Sequence, residues 1–257
     1  MKCTWEISDT DIAAVKRLLN SEQDHPWVKE RFSRNLHYPK KEVAQSDFWA
    51  MLVCMRCTTL AASGAGSPIE RFQSLVPFPL RLERVREEPE ATREDFIHAT
   101  LGKHTVGTHR RRIAADLLKC FNKLESGRWA VVLERCKSLL QPSLPGNERS
   151  VADLLDDELS GIGPKQARNI LQDLGLTRFE IPIDSRGMEW LNDSEPRILP
   201  FQVTSVALAD RHCYGFILDT IQELCEKCET FPCVLDASIF SFLEKQRIIA
   251  GRRGVLR

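Results

Sequence analysis

Apolar residues recur at helical spacing along almost the whole chain, as in Ile12, Val15 and Leu18 near its start. Apolar positions three or four residues apart predict amphipathic α-helices. Alternating runs of strand length are nearly absent, and the best candidate is the short stretch from Phe179 to Ile183. The sequence therefore predicts an all-α fold and argues against a sheet-based enzyme.

The composition is that of an ordinary globular protein. The chain has 257 residues, of which 42% are hydrophobic and 28% are charged, and this length suits one large domain or two small ones. No apolar run approaches the roughly 18 residues that a membrane-spanning helix needs. The N-terminal segment carries acidic residues where a signal peptide requires an apolar stretch. We therefore expect an intracellular protein that is not bound to a membrane.

Positive and negative charges balance, with 36 basic and 36 acidic residues. A net charge of zero argues against indiscriminate binding to polyanions, but it allows a local basic face. The densest basic cluster runs from Lys103 to Arg112 and includes Arg110 and Arg111, and a helical pattern follows from Ile113. This cluster is either a phosphate contact or a solvated start of a helix.

The segment from Ser150 to Trp190 contains the pattern of two short helices joined by a glycine turn. Ser150 resembles a helix cap, and Gly161-Ile162-Gly163 precedes Pro164 at a first helical position. Glycines let the backbone approach a partner closely, and the next helix points its free N–H groups outward, so such a turn can hold a phosphate. An ordinary tight helical hairpin is the alternative interpretation.

Two chemically useful side chains flank the second of these helices. Lys165 is close to its N-terminus, and Asp184 follows nineteen positions later. The positive potential at a helix N-terminus disfavours a protonated lysine, which leaves the amine available as a nucleophile. Alternatively, Lys165 is a surface lysine and Asp184 caps the helix that begins near Ser185.

The stretch Leu159–Lys165, the apolar helix after it, the Pro-bearing loop and Asp184 resemble the signature of the helix-hairpin-helix DNA glycosylases, the superfamily of endonuclease III and the 8-oxoguanine glycosylases. The spacing of Lys165 and Asp184 is similar to that of the 8-oxoguanine branch. Weaker resemblance extends to the segments 48–60 and 106–118. The resemblance implies two helical subdomains that flank a cleft. Residues 48–184 would form a central barrel with the hairpin at about 150–175, and residues 1–47 and 185–257 would form the other lobe.

The resemblance also implies an activity, that of a bifunctional DNA glycosylase and AP lyase. Such an enzyme extrudes a damaged base from double-stranded DNA before it cuts the glycosidic bond. Lys165 would attack the sugar to form a Schiff base, Asp184 would assist, and Gly161, Ile162 and Gly163 would hold a phosphate. A monomer without metal or cofactor is expected. A non-catalytic DNA-binding module and a helical protein with a chance motif are the alternatives.

Further DNA contacts are assigned by the same resemblance. Arg56 aligns with the amide side chain that fills the gap left by the extruded nucleotide, and Arg186 stands where many relatives have a histidine. The planar guanidinium of Arg56 could fill the gap and pair with the orphaned base. Arg186 would suit a phosphate contact, or it is an ordinary surface arginine. Arg110, Arg111 and Arg112 are candidates for additional phosphate contacts.

The damaged base would be read by a pair of residues near the C-terminus. Asp236 and Phe240 are four apart in a helical pattern and therefore share one face. They resemble the polar and aromatic pair of the 8-oxoguanine branch, since a carboxylate can accept from guanine N1–H and N2–H. The alternatives are an oxidised pyrimidine as substrate, or a capping Asp236 with Phe240 in the core.

The nine cysteines do not predict a metal site. Some relatives bind an iron–sulfur cluster through four closely spaced cysteines, but here Cys213 and Cys225 are separated by eleven residues. We expect Cys213, Cys225, Cys228 and Cys233 to be free thiols. The other five, which lie in apolar helical patterns, are expected to pack as small hydrophobic residues: Cys3, Cys54, Cys57, Cys120 and Cys136.

Overall fold

The computed structural model describes residues 6–58, 66–194 and 198–254. Cys3 lies outside these ranges. All regular structure within them is helical, and no strand is present there, which confirms the all-α prediction. The stretch from Phe179 to Ile183 pairs with no strand in the described part of the chain.

Fourteen α-helices occur in the described ranges, together with a 3₁₀ turn at Glu90–Thr92 and a π-type turn at Leu124–Arg128. They are α1 (Asp9–Glu22), α2 (Pro26–Leu36), α3 (Gln45–Cys57), α4 (Pro68–Gln73), α5 (Leu82–Glu87), α6 (Arg93–Lys103), α7 (Arg110–Lys123), α8 (Trp129–Lys137), α9 (Pro145–Glu158), α10 (Pro164–Asp173), α11 (Ser185–Asp193), α12 (Ser205–Ala209), α13 (Arg211–Lys227) and α14 (Pro232–Gly254). None of the described helices is both long and apolar enough to span a membrane.

The helices form two compact units. The terminal unit consists of Met1–Tyr38 and Thr177–Arg257, and the central unit is Pro39–Leu176. These boundaries differ from the predicted ones at 47/48 and 184/185. Val43 packs in the core of the central unit, and Ile181 packs in the core of the terminal unit. Apolar burial therefore assigns the two connecting segments to other units than the family resemblance implied.

The core of the central unit is built around α3. Phe48, Trp49, Leu52 and Val53 on this helix are completely buried. The indole N–H of Trp49 donates to the carbonyl of Leu80 at 2.8 Å, so the polar atom of this large side chain is satisfied inside the core. A helix that is apolar on all sides must be covered on all sides, and α3 packs against α4, α5, α7 and α10.

The two helices predicted around the glycine turn are α9 and α10. The first begins at Pro145 rather than at Ser150, because Leu144 is extended and proline is favoured at a first helical position. Ser150 is therefore not a cap, and its hydroxyl donates to the carbonyl of Gly146. Gly175, with φ of +75°, follows the end of α10, where a left-handed residue that ends a helix is usually glycine.

Cys213 and Cys225 are too far apart to bind the same metal ion or cluster. Cys213 and Cys225 both lie on α13, twelve residues apart, which places them about 18 Å from each other along the helix axis. Burial raises the pKa of the Cys225 thiol well above its usual value, whereas Cys213 is exposed. The described residues contain no group of three or more histidines, cysteines or carboxylates that could hold a metal ion.

Candidate functional site

The hairpin turn, residues 159–163, connects α9 to α10. The N–H of Ile162 donates to the carbonyl of Leu159 at 3.2 Å, and the side chain of Ile162 is only 5% exposed. Ile162 therefore closes the turn and packs in the core, and its N–H is not a phosphate donor. The N–H of Gly163 donates to Oε1 of Gln166 at 3.3 Å. Of the three N–H groups predicted to bind a phosphate, those of Ile162 and Gly163 therefore have partners within the protein.

Gly161 is the member of the turn that faces solvent. It is exposed, its φ is +73°, and its N–H has no hydrogen-bond partner in the described part of the central unit. The N–H of Lys165, the second residue of α10, is likewise unpaired there. Free N–H groups at a helix start carry partial positive charge, so these two donors suit a phosphate.

A buried ion pair lies directly behind the turn. Nη2 and Nε of Arg56 donate to Oδ2 of Asp116 at 2.5 and 3.1 Å, and Arg56 is only 4% exposed. The guanidinium therefore points into the central unit, and the prediction that Arg56 fills a gap in DNA does not fit its position. A charge among the apolar residues of α3 needs a partner. Asp116, on the apolar face of α7, is that partner.

Lys165 has the exposure that a nucleophile needs. It is partly exposed, and its ammonium has no hydrogen bond or ion pair in the described part of the central unit. The side chain follows the hairpin turn directly, at the positive end of the ten-residue helix α10. An amine in this position can reach a ligand that is held by the turn.

Asp184 caps α11, as one of the two interpretations of the sequence proposed. Its Oδ1 accepts from the N–H groups of Arg186 and Gly187 at 2.8 and 3.0 Å. Its Oδ2 has Nη1 of Arg186 at 3.8 Å, and the side chain is 30% exposed. Capping uses one oxygen, which leaves the other for a ligand.

The loop that carries Asp184 is held by Tyr214, a residue that the sequence did not indicate. The hydroxyl of Tyr214 accepts from the N–H of Ile183 at 2.7 Å and donates to the carbonyl of Ile181 at 3.3 Å. Tyr214 lies on α13 and is 1% exposed. A buried tyrosine with both bonds satisfied fixes the backbone immediately before Asp184.

Lys165 belongs to the central unit and Asp184 to the terminal unit. Each unit thus provides one of the two predicted catalytic side chains. Their approach to one another stays a prediction.

Asp236 and Phe240 both lie on α14. Because this helix begins at Pro232, Asp236 is its fifth residue and does not cap it. Oδ2 of Asp236 is 3.8 Å from Nη2 of Arg31 on α2, and the side chain of Asp236 is 21% exposed. No local pattern indicates Arg31 as a neighbour of Asp236, because it precedes Asp236 by more than two hundred residues.

Phe240 is partly exposed and is contacted by two side chains. The ring of Trp27 meets it at a centroid distance of 4.4 Å and an angle of 71°, an edge-to-face arrangement. The guanidinium carbon of Arg186 lies 3.8 Å from the centroid of Phe240, within the range of a cation–π contact. Trp27 was also missed by the sequence pattern.

Arg186 does not project from the surface as a phosphate contact would. Its side chain is 17% exposed, and besides Asp184 and Phe240 it has Oε2 of Glu244 at 3.9 Å from Nη2. Arg186 therefore connects the predicted catalytic carboxylate to the predicted base-binding ring. This position differs from the phosphate role that the sequence suggested.

The three consecutive arginines begin α7. Arg111 and Arg112 are exposed, whereas Nε of Arg110 donates to the carbonyl of Val106 at 3.2 Å. With His98 and His109 they line a shallow depression of about 460 Å³. Positive side chains at a free helix start suit an anion, and their contact with DNA stays a prediction.

The fold of this chain is similar to that of two solved structures, although no family model matches its sequence and no curated protein is significantly similar to it. The solved 8-oxoguanine DNA glycosylase of Methanocaldococcus jannaschii is similar, with a TM-score of 0.61 and 16% sequence identity, over 90% of this chain and 92% of that chain. The 8-oxoguanine DNA glycosylase of Thermotoga maritima is similar with a TM-score of 0.63 and 13% identity, over 90% and 94%. The chain therefore has the helical fold of the 8-oxoguanine DNA glycosylases, which confirms at the level of the fold the resemblance seen in the sequence.

Proposed function

We propose that the chain is a DNA glycosylase with AP lyase activity that removes an oxidised base, preferentially 8-oxoguanine, from double-stranded DNA. The observation that carries this proposal is the position of Lys165. In a glycosylase fold, it is a partly exposed amine without a partner in its unit, and it directly follows a turn with free N–H groups. Such a lysine is placed to act as a nucleophile on DNA that the turn holds.

In this reaction the amine of Lys165 is the nucleophile, and the carboxylate of Asp184 stabilises developing charge. Nζ of Lys165, having lost a proton, attacks C1′ of the damaged nucleotide, and the base leaves with the bonding electron pair and takes up a proton. Asp184 stabilises the positive charge that develops on the sugar, through the oxygen that does not cap α11. The attacking nitrogen then loses a proton, the C1′–O4′ bond breaks and O4′ takes up a proton, which opens the sugar ring and leaves a protonated imine between Lys165 and C1′. This imine acidifies the C2′ hydrogen. Removal of that proton breaks the bond from C3′ to the phosphate oxygen, and water then releases the lysine.

The hairpin turn supplies binding energy that is independent of base sequence. Gly161 N–H and Lys165 N–H contact a phosphate, and the positive end of α10 adds to the attraction. Arg111 and Arg112 extend this grip along the strand.

Asp236 and Phe240 support a purine as the substrate. The carboxylate accepts from the N1–H and N2–H groups of 8-oxoguanine, which an oxidised pyrimidine lacks, and the ring of Phe240 stacks on the base. The guanidinium of Arg186 covers this ring. A base that stacks on this face of Phe240 must therefore displace Arg186.

Sodium borohydride trapping tests the function. The reagent reduces an imine to a stable amine, so wild-type protein mixed with abasic-site duplex should yield a covalent adduct. Lys165→Gln should abolish it, while Lys119→Gln, which alters an exposed lysine of α7, should leave it unchanged. Retention of DNA without an adduct would indicate a binding module instead. An adduct that survives Lys165→Gln would contradict the role of this lysine.

Excision assays test the substrate. Duplexes containing either 8-oxoguanine or thymine glycol are compared under single-turnover conditions, and the 8-oxoguanine duplex should be cut faster. Asp236→Ala should slow only that reaction. Faster cutting of thymine glycol, or normal activity of Asp236→Ala, would remove the basis for a purine substrate.

A further inference from the structure

We propose that the buried pair Arg56 and Asp116 forms, with Ser160, a brace that positions the hairpin turn, and with it Lys165, for reaction with DNA. This inference rests on the proposed function. None of the three side chains is assigned a contact with substrate. They act through the turn and are positioning residues.

The carboxylate of Asp116 joins three parts of the central unit. Its Oδ2 accepts both bonds from Arg56 on α3, and its Oδ1 accepts from the hydroxyl of Ser160 in the turn at 3.1 Å. Asp116 itself lies in the middle of α7. In addition to the two helices that flank it, the turn is thereby tied to α3 and α7.

A second contact holds the same residue through its backbone. Sγ of Cys120, one helical turn after Asp116, donates to the carbonyl of Ser160 at 3.5 Å. Burial raises the pKa of this thiol to about 12, so it stays protonated and keeps its hydrogen. The side chain and the carbonyl of Ser160 are both fixed to α7.

Gly161 rests directly on the ion pair. A Cβ atom at this position would lie 2.5 Å from both Nε of Arg56 and Oδ2 of Asp116. No space separates the turn from the charges below it. The turn therefore cannot move inward, and its outward movement stretches the bond from Ser160 to Asp116.

Because the brace contains a buried ion pair, we expect it to fix the position of the turn more than to increase the free energy of unfolding. A buried ion pair loses much of its Coulombic gain to desolvation, and apolar residues of similar volume are often as stabilising. What a charged pair with fixed bond directions provides is a defined geometry. Here that geometry lies five residues before Lys165, and a misplacement of about 1 Å lowers a reaction rate by about 100-fold.

Three serine variants test the brace. Ser160→Ala removes the bond to Asp116 without leaving a buried charge, and Ser160→Thr keeps a hydroxyl. Ser143→Ala is the matched control, because the hydroxyl of Ser143 donates to Oε1 of Glu148 at 2.9 Å, and Glu148 lies ten residues before the end of α9, about 15 Å along its axis. All three variants retain Arg56 and Asp116.

Two quantities are measured for each variant on abasic-site duplex. The single-turnover trapping rate at saturating protein reports the position of Lys165, and the Kd for an uncleavable abasic analogue reports binding. Ser160→Ala should lower the rate about 10- to 100-fold and raise the Kd only a few fold. Ser160→Thr should restore the rate, and Ser143→Ala should change neither. Equal rates for Ser160→Ala and Ser143→Ala would overturn the brace.

Amide hydrogen exchange tests the brace without the reaction. Ser160→Ala should speed exchange in residues 160–166, and Ser143→Ala should not. If wild-type protein forms no adduct, the proposed function fails, and unchanged exchange in Ser160→Ala would then refute the brace as well. If wild-type protein reacts and Ser160→Ala reacts equally fast, the function stands and the inference fails.

Discussion

Replacing Gly161 by alanine should destabilise the protein far more than the same change at Gly66. The two glycines have nearly the same backbone angle, φ of +73° and +76°. A Cβ at Gly66 would meet nothing within 4 Å, whereas one at Gly161 would collide with Arg56 and Asp116. Comparing the two variants therefore separates two losses of unfolding free energy, one from a left-handed backbone at a non-glycine residue and one from the collision of the new Cβ with the ion pair.

The backbone cost is common to both variants. An L-residue in the left-handed region costs about 1 to 2 kcal/mol, and we expect Gly66→Ala to lose this amount of unfolding free energy. At Gly161 the new methyl group must also push the ion pair apart. Overpacking a core costs about 1–3 kcal/mol, and removing one partner of a buried ion pair costs about 3–5 kcal/mol, which is an upper limit for pushing the two partners apart. We expect Gly161→Ala to lose about 2 to 4 kcal/mol more than Gly66→Ala.

Urea unfolding followed by circular dichroism measures this difference. The midpoints are comparable only where the m-values of wild-type and variant proteins agree. A difference below about 0.5 kcal/mol between Gly161→Ala and Gly66→Ala, which is the usual effect of an unremarkable surface substitution, would refute the contact between the turn and the ion pair.

Four further outcomes are expected. Tyr214→Phe, which removes both bonds to the loop before Asp184, should slow single-turnover excision about 10-fold and lower the unfolding free energy by about 1–3 kcal/mol, because the N–H of Ile183 is left buried and unpaired; an unchanged rate would argue against this positioning. Asp184→Asn should lose most of its activity with near-normal stability, because an amide oxygen still caps α11; a variant that mainly unfolds would indicate a structural role. Binding to duplex DNA should weaken steeply with salt, and changing Arg111 and Arg112 to glutamine should reduce the slope of log K against log salt by about 2; an identical slope would exclude both contacts. Iodoacetamide at mildly alkaline pH should modify Cys213 before the four buried thiols of the central unit, since burial raises their pKa to about 12; mass mapping that finds them equally modified would contradict their burial.

Local patterns predicted those parts of the fold that depend on neighbours in sequence. The helical spacing gave the all-α class, and the glycine turn with Pro164 gave the start of α10. The pattern of Asp236 and Phe240 gave their common helix α14. These features are fixed by residues within one or two helical turns of each other, so they are readable from a single sequence.

Features that depend on distant contacts were not predictable in the same way. The position of Arg56 on α3 is apparent from the sequence, but its inward direction depends on Asp116, sixty residues away. Arg186 occupies the place of a phosphate contact in the motif, yet Phe240 from α14 provides a surface on which it stacks. The boundary at Leu176 likewise depends on which core buries Ile181. Periodicity identifies the face of a helix, and it does not identify what covers that face.

The terminal unit is assembled from two segments that are separated by the whole central unit. Glu22 of α1 binds the ammonium of Lys245 at 2.7 Å across 223 residues of chain, and α2 packs against α14. During synthesis on a ribosome, α1 and α2 therefore emerge long before their partners exist, whereas the central unit has all of its own contacts once residue 176 has appeared. Contacts between residues so far apart in sequence form slowly, because the chain must lose conformational entropy before these contacts can stabilise the fold. Under this order of events the hairpin turn matures first, and the unit that carries Asp184 is completed last, so an interrupted nascent chain would hold the nucleophile without its carboxylate.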